Sequence, residues 1–154
     1  MTQTLTGLQA RLSACRGALV DSNILLDVAT NDPVWGARSA RALAEAAEYT
    51  TLIVNPIVYA EVSIGYATIE ALDAALPAAL YHREPLPWEA GFLAGKSFLL
   101  YRRRGGLRTS PLPDFYIGAH AAIGSLALLT RDAARYRSYF PNVEILAPAH
   151  PSTT

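Results

Sequence analysis

Short, uninterrupted apolar runs recur along this chain, and they limit what it can fold into. Ala18-Leu19-Val20 ends at Asp21, and Thr51-Leu52-Ile53-Val54 ends at Asn55-Pro56. Leu126 to Thr130 and Val143 to Leu146 repeat the pattern, and Leu80 to Arg83 is a weaker case. Strands exposed on one face alternate apolar and polar residues, whereas strands covered on both faces read as continuous apolar segments. The runs therefore predict a mostly parallel sheet of four or five strands.

Helical patterns fill the intervals. Ser22 to Val28 supplies a turn or two, and Asp32-Pro33 offers an N-cap with proline at N1 for a helix through Trp35, Ala40, Leu43 and Ala47. Ile57, Tyr59, Ala60, Ser63, Ile64 and Ala67 follow at helical spacing, and another helix is expected over 69–79. Trp88 to Arg104 has the length of a long helix that Gly105-Gly106 stops. Asp114 opens a helix through Ala122, and Asp132 to Tyr139 forms a short one. Strands alternating with helices predict a three-layer α/β/α sandwich.

At 154 residues the chain has room for one domain, and its composition of 51% apolar and 17% charged residues suits a packed core. The single cysteine, Cys15, excludes an internal disulfide and fits a reducing, cytoplasmic setting. No run has the length of a signal peptide or a membrane span. The 13 basic and 13 acidic residues cancel, so no overall basic footprint points to nucleic acid. Arg102, Arg103, Arg104 and Arg108 are nevertheless concentrated around Gly105-Gly106. Arginine at a helix C-terminus favours the helix dipole, which accounts for the first three and not for Arg108. A basic segment leading to Asp114 suits phosphate binding, for which the planar guanidinium is well shaped.

Ligands of an open parallel sheet bind outside the carboxyl ends of its strands. Asp21 ends the first strand, and Asp132 lies two residues past Thr130 at the end of the fourth. Asp114 starts the helix leading back into that strand, and Glu61 follows the second strand among Tyr59, Ala60, Val62 and Ile64. Asp114 and Asp132 each also suit a helix cap. As a set, four acids at one end of a sheet repel one another unless a cation neutralises them. Oxygen-only ligands suit Mg²⁺ or Mn²⁺, and no cysteine pair or histidine cluster supports zinc. His120 lies six positions after Asp114, about 240° around a helix, and so off its face.

These segments resemble a known family. Val-Asp-Ser-Asn-Ile-Leu-Leu-Asp at 20–27, Tyr-Ala-Glu at 59–61, Pro-Asp-Phe-Tyr-Ile-Gly-Ala-His-Ala at 113–121 and Leu-Leu-Thr-Arg-Asp at 128–132 look like PIN domains. They are most similar to the VapC-type toxins of bacterial toxin–antitoxin pairs. The resemblance implies an endoribonuclease dependent on one or two Mg²⁺ or Mn²⁺ ions, a homodimer, and inhibition by an antitoxin protein. Carried onto this chain, it makes Asp21, Glu61, Asp114 and Asp132 the metal-binding and catalytic acids. Asn23, Thr130 and Ser22 become the small polar residues beside them. It also divides the chain into an N-terminal extension (1–16), a PIN-like nuclease domain (17–148) and a tail (149–154). The extension, with Leu5, Leu8 and Leu12, departs from the family pattern.

In this scheme Asp21 is the central ligand, and Asp114 and Asp132 ligate directly or through water. Glu61 either ligates or orients the attacking water, and the arginines grip RNA phosphates. The helices around Trp35 and over 57–79 carry surplus apolar residues, which suggests a dimer seam. Two other readings compete. An aspartyl-phosphate phosphatase needs a second Asp two positions after the first, where this chain has Asn23, and Lys96 is its only lysine. A non-catalytic PIN-like scaffold has no reason to keep four costly acids.

Overall fold

In the computed structural model, which describes residues 7–151, every expected strand joins one sheet. The strands are β1 (Ala18–Val20), β2 (Leu52–Val54), β3 (Tyr81–Arg83), β4 (Ala127–Leu129) and β5 (Ile145–Leu146), in the order β3-β2-β1-β4-β5. All four pairings are parallel, with Ala18 level with Leu52 and Ala127, and Leu19 level with Ile53 and Leu128. Successive side chains of a strand point to opposite faces. Because every residue of β1, β2 and β4 is buried, both faces of the sheet are covered. At the edge, β3 buries Tyr81 and exposes His82 and Arg83.

The covering helices are α1 (Gly7–Leu12), α2 (Ser22–Ala29), α3 (Gly36–Tyr49), α4 (Pro56–Ser63), α5 (Ile69–Ala75), α6 (Trp88–Arg103), α7 (Pro113–Ile123) and α8 (Ala133–Tyr139). Asn55 caps α4 by accepting from the Val58 N–H at 2.9 Å, with Pro56 at the first helical position. Gly105 takes φ +91° just past α6, the left-handed conformation that glycine adopts at least cost. Asp32 behaves differently from expectation. Its carboxylate accepts from the N–H groups of Val34 and Trp35 in a turn, and α3 starts only at Gly36.

Residues 7–12, read from sequence as part of an extension, form α1 and dock on the sheet. Leu12 is buried in the core and Leu8 packs against it. Arg11 donates to the Ile145 carbonyl at 2.6 Å and pairs with Glu144, covering the β5 edge. Leu5 and the end of the tail, 152–154, lie outside the described residues. Among the described residues, no helix is long and apolar enough to cross a membrane.

The strand order places a topological switch at the centre. From β1 the chain moves outward through β2 and β3, then returns to the other side of β1 as β4 and continues to β5. A crevice forms where such a sheet reverses direction, at the carboxyl ends of the two central strands. Here those strands are β1 and β4.

Candidate active site

Asp21 follows β1 and Thr130 follows β4, and the two meet across the switch point. Asp21 is 3% exposed. Its Oδ2 accepts from the Thr130 hydroxyl at 2.8 Å and from the Tyr136 hydroxyl at 3.0 Å, and its Oδ1 accepts from the Ser22 N–H at 2.8 Å. Strand ends and a helix start thus hold one carboxylate in a single orientation.

The other three acids reach Asp21 through one intervening side chain each. Ser22 donates its hydroxyl to Glu61 at 3.1 Å and contacts Asp21 at 3.5 Å. Asn23 lies 3.4 Å from carboxylate oxygens of both Asp21 and Asp132 through its Nδ2. Tyr136 is 3.4 Å from Asp114 while bonded to Asp21. Thr130 completes the frame by accepting from the Asp132 N–H at 3.0 Å, and Asn23 accepts from the Arg131 N–H at 3.3 Å. Asp21, Ser22, Asn23, Glu61, Asp114, Thr130 and Asp132 are therefore all brought together. Among the described residues, no three acidic, histidine or cysteine side chains form a ready-made metal cage. The acids are bridged by hydroxyls and an amide and do not touch directly.

The electrostatics follow from this crowding. Burial pushes the Asp21 carboxyl above its ordinary range, and the nearby charge of Asp114 adds to the rise against the pull of the hydrogen bonds from Thr130, Tyr136 and Ser22. Burial likewise raises Glu61, with the charges of Asp21 and Asp114 contributing and the Ser22 hydrogen bond opposing. Tyr136 is buried and faces three carboxylates, so its hydroxyl is held strongly protonated and remains a donor. The acids of the set offer oxygen donors only, and Asp21 and Glu61 hold their protons more tightly than usual. Both properties fit a hard divalent cation such as Mg²⁺ or Mn²⁺.

Tyr136 and Arg135 belong to the site and are absent from the sequence-derived set. Arg135 forms an ion pair with Asp114 and is its principal cationic partner. Tyr136 lies four residues after Asp132, the spacing that puts two side chains on one helix face, and that signal could have found it. Arg131 works beside the site. Its Nε lies 3.0 Å from Asp27 Oδ2, off the line of a directed hydrogen bond, and its guanidinium sits 5.0 Å over the Trp35 ring. Asp27 is buried and also accepts from the Ser39 hydroxyl at 2.7 Å. Trp35 is thus covered within the chain by Arg131 and by His150.

The four clustered arginines divide. Arg102 donates to the Arg108 carbonyl at 2.8 Å and to the Gly106 carbonyl at 3.4 Å. Arg104 donates to the Ser138 hydroxyl at 3.2 Å and lies over the Tyr139 ring. Arg103 is exposed, and Arg108 alone of the four lines a cavity that Asp114 shares. His120 stays apart from the acids, as its helical phase predicts. It is fully buried, with Nδ1 3.0 Å from the Asn55 amide and Nε2 3.3 Å from Glu84, whose carboxylate Arg16 grips with both Nη atoms.

A family model for the PIN domain matches residues 18–140. No curated protein matched the chain. Among solved structures, VapBC2 from Rickettsia felis bound to a promoter DNA fragment is similar, with 18% identity, a TM-score of 0.66, and 86% of this chain and 98% of that chain covered. VapBC-1 from nontypeable Haemophilus influenzae gives 18% identity and a TM-score of 0.63, over 84% of this chain and 96% of that one. A toxin–antitoxin complex from Klebsiella pneumoniae gives 22% identity and a TM-score of 0.58, over 88% and 100%. At these identities the likeness concerns the fold.

Proposed function

We propose, from the premise that this chain belongs to the PIN domain family, that it is a Mg²⁺- or Mn²⁺-dependent endoribonuclease and the toxin of a toxin–antitoxin pair. One observation carries the reading: Asp21, fixed at the switch point, is linked through single side chains to Glu61, Asp114 and Asp132. A scaffold gains nothing from such a cluster, since like charges crowded around the buried Asp21 cost stability without a cation.

Asp21 would be the central ligand, with Asp114 and Asp132 ligating directly or through water. A divalent ion bound there supplies Lewis acidity at the phosphodiester and lowers the pKa of its bound water. Glu61, half-buried and raised in proton affinity, either ligates or orients the attacking water. Thr130, Ser22 and Tyr136 donate to the carboxylates and fix where their lone pairs point, as residues behind a metal ligand do. Asn23 spans Asp21 and Asp132 and sets their spacing. Arg135 holds Asp114 and reduces the negative charge an incoming phosphate meets. Arg108 and Arg103 contact the RNA backbone, while Arg102 and Arg104 hold the loop that presents them.

The antitoxin partner is proposed because the similar structures are described as VapBC and toxin–antitoxin complexes. A homodimer is proposed because large apolar side chains stay exposed, with Ile64 at 87%, Ile69 at 61%, Trp88 at 94% and Phe92 at 70%. A cytoplasmic site of action follows from an RNA substrate. The nuclease unit is taken as 17–148, with 1–16 as an N-terminal extension, of which Gly7–Leu12 covers the sheet edge, and 149–154 as a tail. The test is cleavage of a mixed RNA pool by the purified protein with Mn²⁺, its arrest by EDTA, and calorimetric titration of Mn²⁺. Tight Mn²⁺ binding with EDTA-sensitive cleavage supports the reading. Absence of both overturns it.

A further inference from the structure

Between the loop after α6 and helix α8 lies a cavity of about 400 Å³ bounded by Tyr101, Arg108, Asp114, Arg135, Tyr136 and Tyr139. Asp114 and Tyr136 belong both to this cavity and to the acid cluster, so the two spaces adjoin. Its wall is aromatic and interlocked. Phe115 meets Tyr139 edge-on with centroids 5.3 Å apart and Tyr101 at 5.7 Å.

The loop that brings Arg108 to the rim is built for that placement. Gly106 donates to the Tyr101 carbonyl at 3.0 Å, and the Arg108 N–H lies 3.4 Å from the Tyr101 hydroxyl. A Cβ at Gly106 would fall 2.2 Å from the Tyr101 ring, so this contact requires glycine. Arg102 closes the loop from within, and Arg104 ties it to Ser138 on α8. The cavity therefore has an aromatic wall, arginines from two different elements in its lining, of which Arg135 is paired with Asp114, and a volume in the range of small-ligand sites.

Aromatic walls favour a planar π-system, and an arginine at the rim favours a phosphate. The geometry points to a nucleotide subsite: the cavity takes the base of the ribonucleotide next to the scissile phosphodiester, and Arg108 holds that nucleotide's phosphate with Arg135 beside it. This inference rests on the ribonuclease reading above. It adds that the enzyme senses one base beside the cut and does not grip the backbone alone.

The test uses a fluorescein-labelled ten-nucleotide RNA centred on a cleavage site mapped with the wild-type protein. Binding is measured on the Asp21→Asn variant, with an abasic residue moved along the strand. One abasic position next to the cut should weaken binding by about tenfold, in line with the loss of one stacked base. Adding Tyr139→Leu should cost about the same on intact RNA and nothing further on that abasic RNA. Adding Arg108→Gln should weaken all sequences and lower the slope of log K against log salt by about 0.7, one phosphate of a single strand. Independent, additive losses from the abasic residue and Tyr139→Leu overturn the subsite, as does an unchanged salt slope for Arg108→Gln. If Tyr139→Leu does not fold, 4-thiouridine placed beside the cut decides. Cross-links to Tyr101 or Tyr139 support the proposal, and cross-links elsewhere overturn it. A protein that cuts RNA while failing these tests loses only the subsite. One that neither binds nor cuts RNA with Mn²⁺ loses both readings.

Discussion

Two polar clusters, each anchored on a buried side chain, lie within this small domain, Asp21 in one and His120 in the other, and helix α7 contributes to both. Near its C-terminal end, His120 sits in a chain of partners from Arg16 through Glu84 to Asn55, where both ring nitrogens are partnered and the Glu84 carboxylate meets the Arg16 guanidinium. The Asn55 amide faces His120 Nδ1, so the ring is best satisfied as the neutral tautomer that donates from Nε2 to Glu84. At its N-terminal end, Asp114 joins Asp21, Glu61 and Asp132, with Arg135 its one close cationic partner. The first cluster is compensated internally and contributes to stability. The second is left with excess negative charge, which a divalent cation would neutralise so that a phosphodiester could approach. Residues that break the rule of pairing buried charge mark function more clearly than residues that obey it.

The largest expected effect comes from removing one charge of the uncompensated cluster. Asp21→Asn keeps the volume and should take RNA cleavage below detection while weakening Mn²⁺ binding. The metal-free fold should stay within about 1 kcal/mol of wild type, because lost carboxylate hydrogen bonds offset relieved repulsion. Gel assays, Mn²⁺ calorimetry and urea unfolding of one preparation check this. Near wild-type cleavage would remove Asp21 from its central place.

The mirror experiment breaks the compensated cluster. His120→Ala leaves a cavity and strips partners from Asn55 and Glu84, so it should cost about 2–4 kcal/mol of stability. Mn²⁺ affinity per folded molecule should be unchanged. A thermal melt and a titration well below the melting temperature separate the two. A selective loss of Mn²⁺ binding would mean that the clusters are coupled through α7.

How much of this contrast the sequence reveals depends on how local each signal is. Asp21, Asn23, Thr130 and Asp132 sit at or just past strand ends, where the sheet's polarity fixes their direction, and Glu61 stands out among apolar neighbours. Tyr136 and Arg135 lie past no strand end, so only the four-residue spacing from Asp132 marks Tyr136, and Arg135 looks like a solvent residue until α8 is packed. The Arg16–Glu84–His120–Asn55 chain joins residues up to 104 positions apart in the sequence (120 − 16), so no spacing rule announces it. The start of α3 differs from the Asp32-Pro33 signal for a smaller reason: Asp32 caps a turn first, and the helix begins after Trp35. The six residues of α1 give too little periodicity to distinguish the helix from a tail.

A smaller change sharpens the role of the bridging hydroxyls. Tyr136→Phe preserves the ring and deletes the donor shared by Asp21 and Asp114. Cleavage should fall by about 10- to 100-fold, as when a residue supporting a metal ligand is lost. Metal-free stability should fall by about 1 kcal/mol. Single-turnover cleavage at saturating Mn²⁺ measures the first, and unchanged turnover would reduce Tyr136 to packing.

The smallest effect is a difference in slope with pH, and it tests the comparison directly. Asp21 and Glu61 have folded proton affinities raised above their ordinary values of 3.8 and 4.5. In the window above those values the folded state holds protons the unfolded chain has released, so this cluster's contribution falls as pH rises. The other cluster runs the opposite way. Glu84 is lowered from 4.5, mainly by Arg16, so its contribution is present above that value and lost as pH falls through its folded one. His120 is lowered from 6.5 by burial, so the unfolded chain alone takes up a proton below 6.5 and stability drops there. Urea midpoints in EDTA from pH 4 to 8 should therefore show Asp21→Asn gaining on wild type as pH rises from 4, then holding a constant lead. His120→Gln should flatten the rise of stability between pH 5 and 6.5. Mn²⁺ should erase the wild type's disadvantage, since the cation supplies the charge the protons had supplied. If Asp21→Asn tracks wild type at every pH, Asp21 ionises without opposition, and the acids are not crowded enough to need a metal.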